Sequence, residues 1–130
     1  MEETITILYN GHYGGFGVSD KALELYNLRM KEINSDFTPV KSYDLFFERH
    51  DPILVDIYNE LGKDFGREYS KIKVENIPKK YEKFYVIEEY DGLENVIIDE
   101  NKYKLDKIKE ILKEENGYKE KIEEIETLLK

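Results

Sequence analysis

Three clusters of residues have the types and spacing for chemistry. The first is Asn10-Gly11-His12-Tyr13-Gly14-Gly15-Phe16-Gly17, which holds half of the chain's eight glycines. It follows a β-branched run and precedes a helix start, an order in which backbone N–H groups and a helix dipole can cradle an anion. Its spacing is not G-x-G-x-x-G, because Asp20 stands where the third glycine is needed. Nor is it a P-loop, since no Gly-Lys-Ser/Thr follows. Asp20 would also repel a phosphate at the first helical turn. Two readings stand: the glycines supply positive φ values for a tight turn, or they let a ligand approach bare backbone beside His12, Tyr13 and Phe16, whose rings could stack on a base. Both Tyr13 and Phe16, set among glycines, are expected outside the core.

The second cluster is Glu88-Glu89-Tyr90-Asp91-Gly92-Leu93-Glu94, four carboxylates within seven residues. Paired carboxylates do acid–base chemistry when burial drives their pKa values apart, and they bind hard cations through oxygen. Neighbouring strand residues point to opposite faces, so Glu88 and Glu89 are not a natural pair. The spacing is not that of a calcium loop, and a solvated turn is the plainer reading. The third cluster is Arg49-His50-Asp51. A His beside an Asp suggests a triad, but adjacent residues do not give the orienting geometry, and Asp51 is needed as a helix cap. Arg49 could hold an anion or pair with Asp51 or Glu48. Ser70-Lys71-Ile72-Lys73 fits S-x-x-K in letters only, because that motif needs a helix and this segment alternates like a strand.

These clusters need elements to position them. Thr4 to Tyr9 alternates as a strand. Ser19 offers an N-cap, and Ala22, Leu23, Tyr26, Met30 and Ile33 give a helix over 20–33. Leu45-Phe46-Phe47 is an apolar anchor. Asp51-Pro52 starts a second helix, with Leu54, Ile57, Tyr58 and Leu61 inside and Gly62 closing it. The period then changes to two: a strand around Ile72–Val74 ends at Pro78, and two more strands meet at the Asp91-Gly92 turn. Leu105, Ile108, Ile111 and Leu112 form one helical stripe, Asn116-Gly117 stops it, and Ile122, Ile125, Leu128 and Leu129 form another. The order β-α-α-β-β-β-α-α is α+β, a single domain with an antiparallel meander or hairpin plus an N-terminal strand and about four helices. Residues 1–100 are expected to be the core domain and 101–130 a helical extension packed on it.

Composition narrows the function. The chain has 130 residues, one domain's worth, with no cysteine and only two histidines, His12 and His50. Disulfides, thiolate zinc sites and cysteine nucleophiles are excluded, and a histidine zinc site would be thin. The net charge of −9 disfavours a generic nucleic-acid binder. Acids outnumber bases in every third, so no basic arm is set apart. The N-terminus has no secretory pattern, and no run approaches a membrane span.

Tyr13-Gly14-Gly15-Phe16, Arg49-x-Asp51-Pro52-x-Leu54-Val55 and Glu88-Glu89-Tyr90-Asp91-Gly92-x-Glu94-x-Val96 together resemble a set of small uncharacterised proteins of large double-stranded DNA viruses and tailed phages. The resemblance covers residues 5–98. It implies an accessory protein in the cytoplasm of an infected host cell, with these three segments as marked positions. It carries over no catalytic residue.

The reading is therefore a non-enzymatic protein that binds and sequesters a small ligand, of nucleotide type, as counter-defence. The ligand-binding candidates are His12, Tyr13, Gly14, Gly15, Phe16, Arg49 and Tyr90, with no catalytic residue, metal or cofactor assigned. The alternative is an adaptor for a host protein or a homo-oligomerising accessory protein, since acidic faces and tyrosines suit interfaces and helix 119–129 could pack on a partner. A metal hydrolase built on Glu88, Glu89 or Asp91 is the weakest reading.

Overall fold

The computed structural model describes residues 2–41, 48–113 and 118–130. The Leu45-Phe46-Phe47 anchor and the Asn116-Gly117 stop lie outside them. The described elements run β1 (Thr4–Asn10), α1 (Asp20–Ile33), α2 (Pro52–Leu61), β2 (Ile72–Pro78), β3 (Tyr85–Tyr90), β4 (Leu93–Ile98), α3 (Glu100–Lys113) and α4 (Tyr118–Leu129). The chain is α+β, with the expected order of strands and helices. Both early helices start as their caps dictate. Ser19 Oγ accepts from Ala22 N–H at 3.2 Å, and Asp51 accepts from Ile53 N–H at 2.9 Å with Pro52 in the first turn.

The strands form two antiparallel pairs. β3 and β4 are the expected hairpin, turning at Asp91 and Gly92, both with positive φ (51° and 86°). β2 takes no part in a meander with β3; it pairs along its whole length with β1, from Thr4 opposite Pro78 to Asn10 opposite Ile72. Pro78 and a single 3-10 turn over Lys79–Tyr81 end β2 and redirect the chain before β3 begins. The β4 strand lies beside β1, so the hairpin tip meets the loop that follows β1.

Leu8, Ala22, Tyr26, Leu54, Ile57 and Phe65 form the centre of the core, between β1, α1 and α2. Phe16 belongs there too, at 8 % exposure, contrary to the expectation from its glycine neighbours. The backbone explains it: Arg67 N–H donates to Gly17 O at 3.1 Å and Ser19 N–H to Phe65 O at 2.7 Å. These bonds draw residues 16–18 across the core, while Tyr13 stays exposed. The C-terminal stripes are only partly buried. Ile111 is buried, but Leu105 and Leu112 in α3 and Ile122 and Leu129 in α4 are exposed. It is Tyr103 that faces the rest of the chain, its ring 5.0 Å from Tyr81 and 5.4 Å from Phe84, and this turns the leucines outward.

Candidate functional site

The glycine loop, the acidic hairpin and Arg49 of the third cluster meet in one place. Asn10, the last residue of β1, is wholly buried and joins them. Its N–H donates to Glu94 Oε1 at 2.8 Å, and its side-chain amide donates to Gly92 O at 2.7 Å and to His12 O. Its side-chain oxygen accepts from Lys71 N–H at 2.7 Å. One side chain thus ties the start of the glycine loop, the hairpin turn and the approach to β2.

Arg49 adds the second tie. Its guanidinium donates to both Glu94 oxygens, at 2.7 Å and 2.9 Å, in the planar two-bond geometry that suits Arg and carboxylate. The side chains are only 17 % and 7 % exposed. The guanidinium carbon also stands 3.7 Å above the centre of the Phe16 ring, a cation–π contact. Arg49 is held in place by its own carbonyl, which accepts from Leu8 N–H at 2.8 Å. The expected partners Asp51 and Glu48 are not used: Asp51 caps α2 and accepts from the Tyr26 hydroxyl at 2.7 Å.

Backbone closes the seam. Gly14 N–H donates to Asp91 O at 3.3 Å, Gly92 N–H to Glu89 Oε1 at 2.6 Å, and Ser70 Oγ to Gly15 O at 2.7 Å. Gly92 is buried so closely that a Cβ there would collide with the backbone of Gly14 and Gly15. Gly14 and Gly15 themselves have φ of 115° and 90°, so the turn reading of these glycines holds at both positions.

The seam leaves an open cleft of about 390 Å³, lined by Gly14, Gly15, Phe16, Arg49, Tyr69, Glu89 and Glu94. Of the sequence candidates, Gly14, Gly15, Phe16 and Arg49 line it. His12, Tyr13 and Tyr90 do not; they are exposed nearby, with His12 packed on the Tyr13 ring at 5.9 Å. Asn10, Tyr69 and Glu94 are absent from the sequence candidates, and Glu89 figures among them only in the hydrolase reading. Glu89 and Glu94 stand directly opposite each other across the hairpin, so the carboxylate pair at this site is theirs, and Glu88 points away from it. With Arg49 already committed to Glu94, the lining carries two carboxylates against one guanidinium.

His50 sits outside the cleft. Its Nδ1 shares a hydrogen bond of 2.6 Å with the Tyr85 hydroxyl, and its Nε2 lies 3.4 Å from Glu82 and 3.9 Å from Glu48. Burial, then the nearby Glu48 charge, pushes the Tyr85 hydroxyl above its ordinary pKa. Among the described residues no group of three or more His, Asp or Glu could hold a metal ion, and no helix is long and apolar enough to cross a membrane.

No family model, curated protein or solved structure matches this chain.

Proposed function

We propose that this chain is a non-enzymatic accessory protein of a virus or phage that binds and sequesters a small ligand in the cleft between the glycine loop and the hairpin. The observation that carries the ligand-binding part of this reading is the cleft itself; the viral setting rests on the resemblance of the three segments. At about 390 Å³ it falls within the roughly 300–1,000 Å³ of small-molecule sites. Bare backbone at Gly14 and Gly15 forms one wall, Tyr69 another and Glu89 a third.

The lining also selects which part of a nucleotide-type ligand would enter. A phosphate would meet two carboxylates and a guanidinium already forked to one of them, so charge disfavours it. A planar base could lie on Tyr69, with its amino groups, or a ribose hydroxyl, donating to Glu89. Nucleosides are therefore expected to bind better than their phosphates. Ligand binding to the folded state raises the melting temperature, so a thermal-shift panel of nucleosides and nucleotides tests the reading. A rise with one nucleoside, lost in Tyr69→Ala, supports it, provided that the ligand is recovered unchanged after incubation. No shift with any member of the panel overturns it, and recovery of a converted product replaces it with an enzyme.

A further inference from the structure

The C-terminal helices leave an apolar face uncovered. Leu105 and Leu112 in α3 are 52 % and 57 % exposed, and Ile122 and Leu129 in α4 are 43 % and 62 % exposed. All four lie on one side of the helix pair. On the other side, Lys107 and Ile111 of α3 share a groove with Glu124 and Leu128 of α4. At 3.6 residues per turn, Leu105 and Leu112 lie about 130° round α3 from the Lys107–Ile111 pair, and Ile122 and Leu129 lie about 130° round α4 from Glu124–Leu128. Ile108 and Ile125, half-buried, lie between groove and stripe on their helices, so α3 and α4 meet along that arc and both stripes come out on the face away from the groove. Tyr103, against Tyr81 and Phe84, anchors the opposite face to the rest of the chain.

Each stripe has coiled-coil spacing: Leu105, Ile108, Leu112 and Ile122, Ile125, Leu129 both step by three and then four. Charge then distinguishes the ways of covering them. α3 carries five lysines against three acids, whereas α4 carries four glutamates against two lysines. Lys109 and Glu126 hold equivalent places, each four residues after the first member of its stripe and each exposed.

We propose that this face docks on the same face of a second copy of the chain, forming a four-helix bundle about a two-fold axis parallel to the helices. That axis sets the basic α3 of one copy against the acidic α4 of the other, running antiparallel, and places Lys109 on the same edge as the partner copy's Glu126. A two-fold axis across the helices would instead set α3 on α3, lysine against lysine. The bundle follows ordinary packing, with left-handed crossing of about 20° between antiparallel neighbours, and each apolar stripe becomes a seam. The helices are short, so the interface belongs to the small, weak class.

Sedimentation of the full chain from about 10 µM to about 1 mM tests this, because a weak dimer of this size dissociates within that span. The mass is expected to rise from the 15.5 kDa of the monomer toward twice that value. The double variant Leu105→Ser, Leu129→Ser is expected to stay monomeric with an unchanged circular dichroism spectrum. Lys109→Glu is expected to weaken the dimer at least tenfold, and adding Glu126→Lys to restore it. A monomer at every concentration overturns the proposal, as does a dimer indifferent to the two serines. Stronger association of Lys109→Glu, or failure of the second change to rescue it, overturns the α3-on-α4 arrangement.

Discussion

The seam between loop and hairpin and the C-terminal helix pair solve opposite problems. At the seam, polar groups have been taken out of water and every one is answered: Asn10, Arg49 and Glu94 come from three distant segments and meet in one network, and among the described residues no buried side-chain nitrogen or oxygen lacks a partner. In the C-terminal pair, apolar groups have been left in water. Burial that depends on contacts 84 residues apart comes into being only when the whole fold does. An amphipathic helix pair, by contrast, is encoded locally and can keep one face for another chain. The first region should therefore respond to mutation through stability, the second through association.

The largest effect is expected from Glu94→Ala. It leaves the Arg49 guanidinium and Asn10 N–H buried without their acceptor, and breaking a buried pair in this way costs about 3–5 kcal/mol. Glu94→Gln, which keeps an acceptor for Asn10, should lose less. Urea unfolding measures both. A loss under about 1 kcal/mol for Glu94→Ala would put this pair in the class of surface ion pairs and erase the contrast with the helices.

Next in size is Gly92→Ala, at about 2–3 kcal/mol, since it combines a positive-φ backbone with overpacking against the loop. Gly15→Ala separates the two causes. Its φ is 90° but nothing lies within 4 Å of the added carbon, so it should cost only the backbone part, about 1–2 kcal/mol. Equal losses at the two positions would mean that hairpin and loop are not in close contact in solution.

The legibility of the two regions differs for the same reason. Ser19, Asp51-Pro52 and the Asp91-Gly92 turn act on neighbours a few residues away, and their elements are where the residues place them. The span of α1 follows from its cap and its 3.6 period. The partner of Arg49 does not follow from anything local, because Glu94 is 45 residues away while Glu48 and Asp51 adjoin it. The burial of Phe16 depends on strand-like bonds from Phe65 and Arg67, again out of local reach. The opposition of Glu89 and Glu94 was legible: a two-residue turn at Asp91-Gly92 dictates that register. It is missed when the carboxylates are weighed as neighbours along the chain and not as partners across it. Nothing in a strand ending Tyr9-Asn10 marks the asparagine as a buried hub. In α3 the apolar period was legible, but the face that turns inward was not, because Tyr103 decides it.

A smaller effect sharpens the contrast through pH. The turn over 48–51 also holds two tyrosine hydroxyls, Tyr26 on Asp51 and Tyr85 on His50. Burial first, then the Asp51 hydrogen bond and charge, pushes the Tyr26 hydroxyl well above its ordinary pKa, and Tyr85 shifts the same way. A folded-state pKa above the unfolded value of about 10 means that this contribution is complete below that pH. It is lost as pH rises from there toward the folded pKa, where the unfolded chain releases the proton that the folded chain retains. Tyr26→Phe should cost about 0.5–1.5 kcal/mol at neutral pH for the lost hydrogen bond and should flatten the decline in unfolding free energy above pH 10. An unchanged alkaline slope in Tyr26→Phe, Tyr85→Phe would detach both hydroxyls from the stability of this turn.

The smallest expected effect lies in the other region. Leu105→Ala and Leu112→Ala remove apolar surface that a single copy leaves in water, so neither creates a cavity. The change should stay within about 0.5 kcal/mol, as at ordinary surface sites, when unfolding is followed at concentrations too low for two copies to meet. The same variants at high concentration lose whatever a second copy contributes, so the wild type alone should show a melting temperature that climbs with concentration. Ile111→Ala is the internal control: it lies one residue from Leu112 but is buried, so it should destabilise the chain at every concentration, by about 2–5 kcal/mol if the site behaves as an ordinary core position. If Leu112→Ala proves as costly as Ile111→Ala in dilute solution, α3 is rotated from the orientation that Tyr103 gives it, and the leucines belong to the core of one chain.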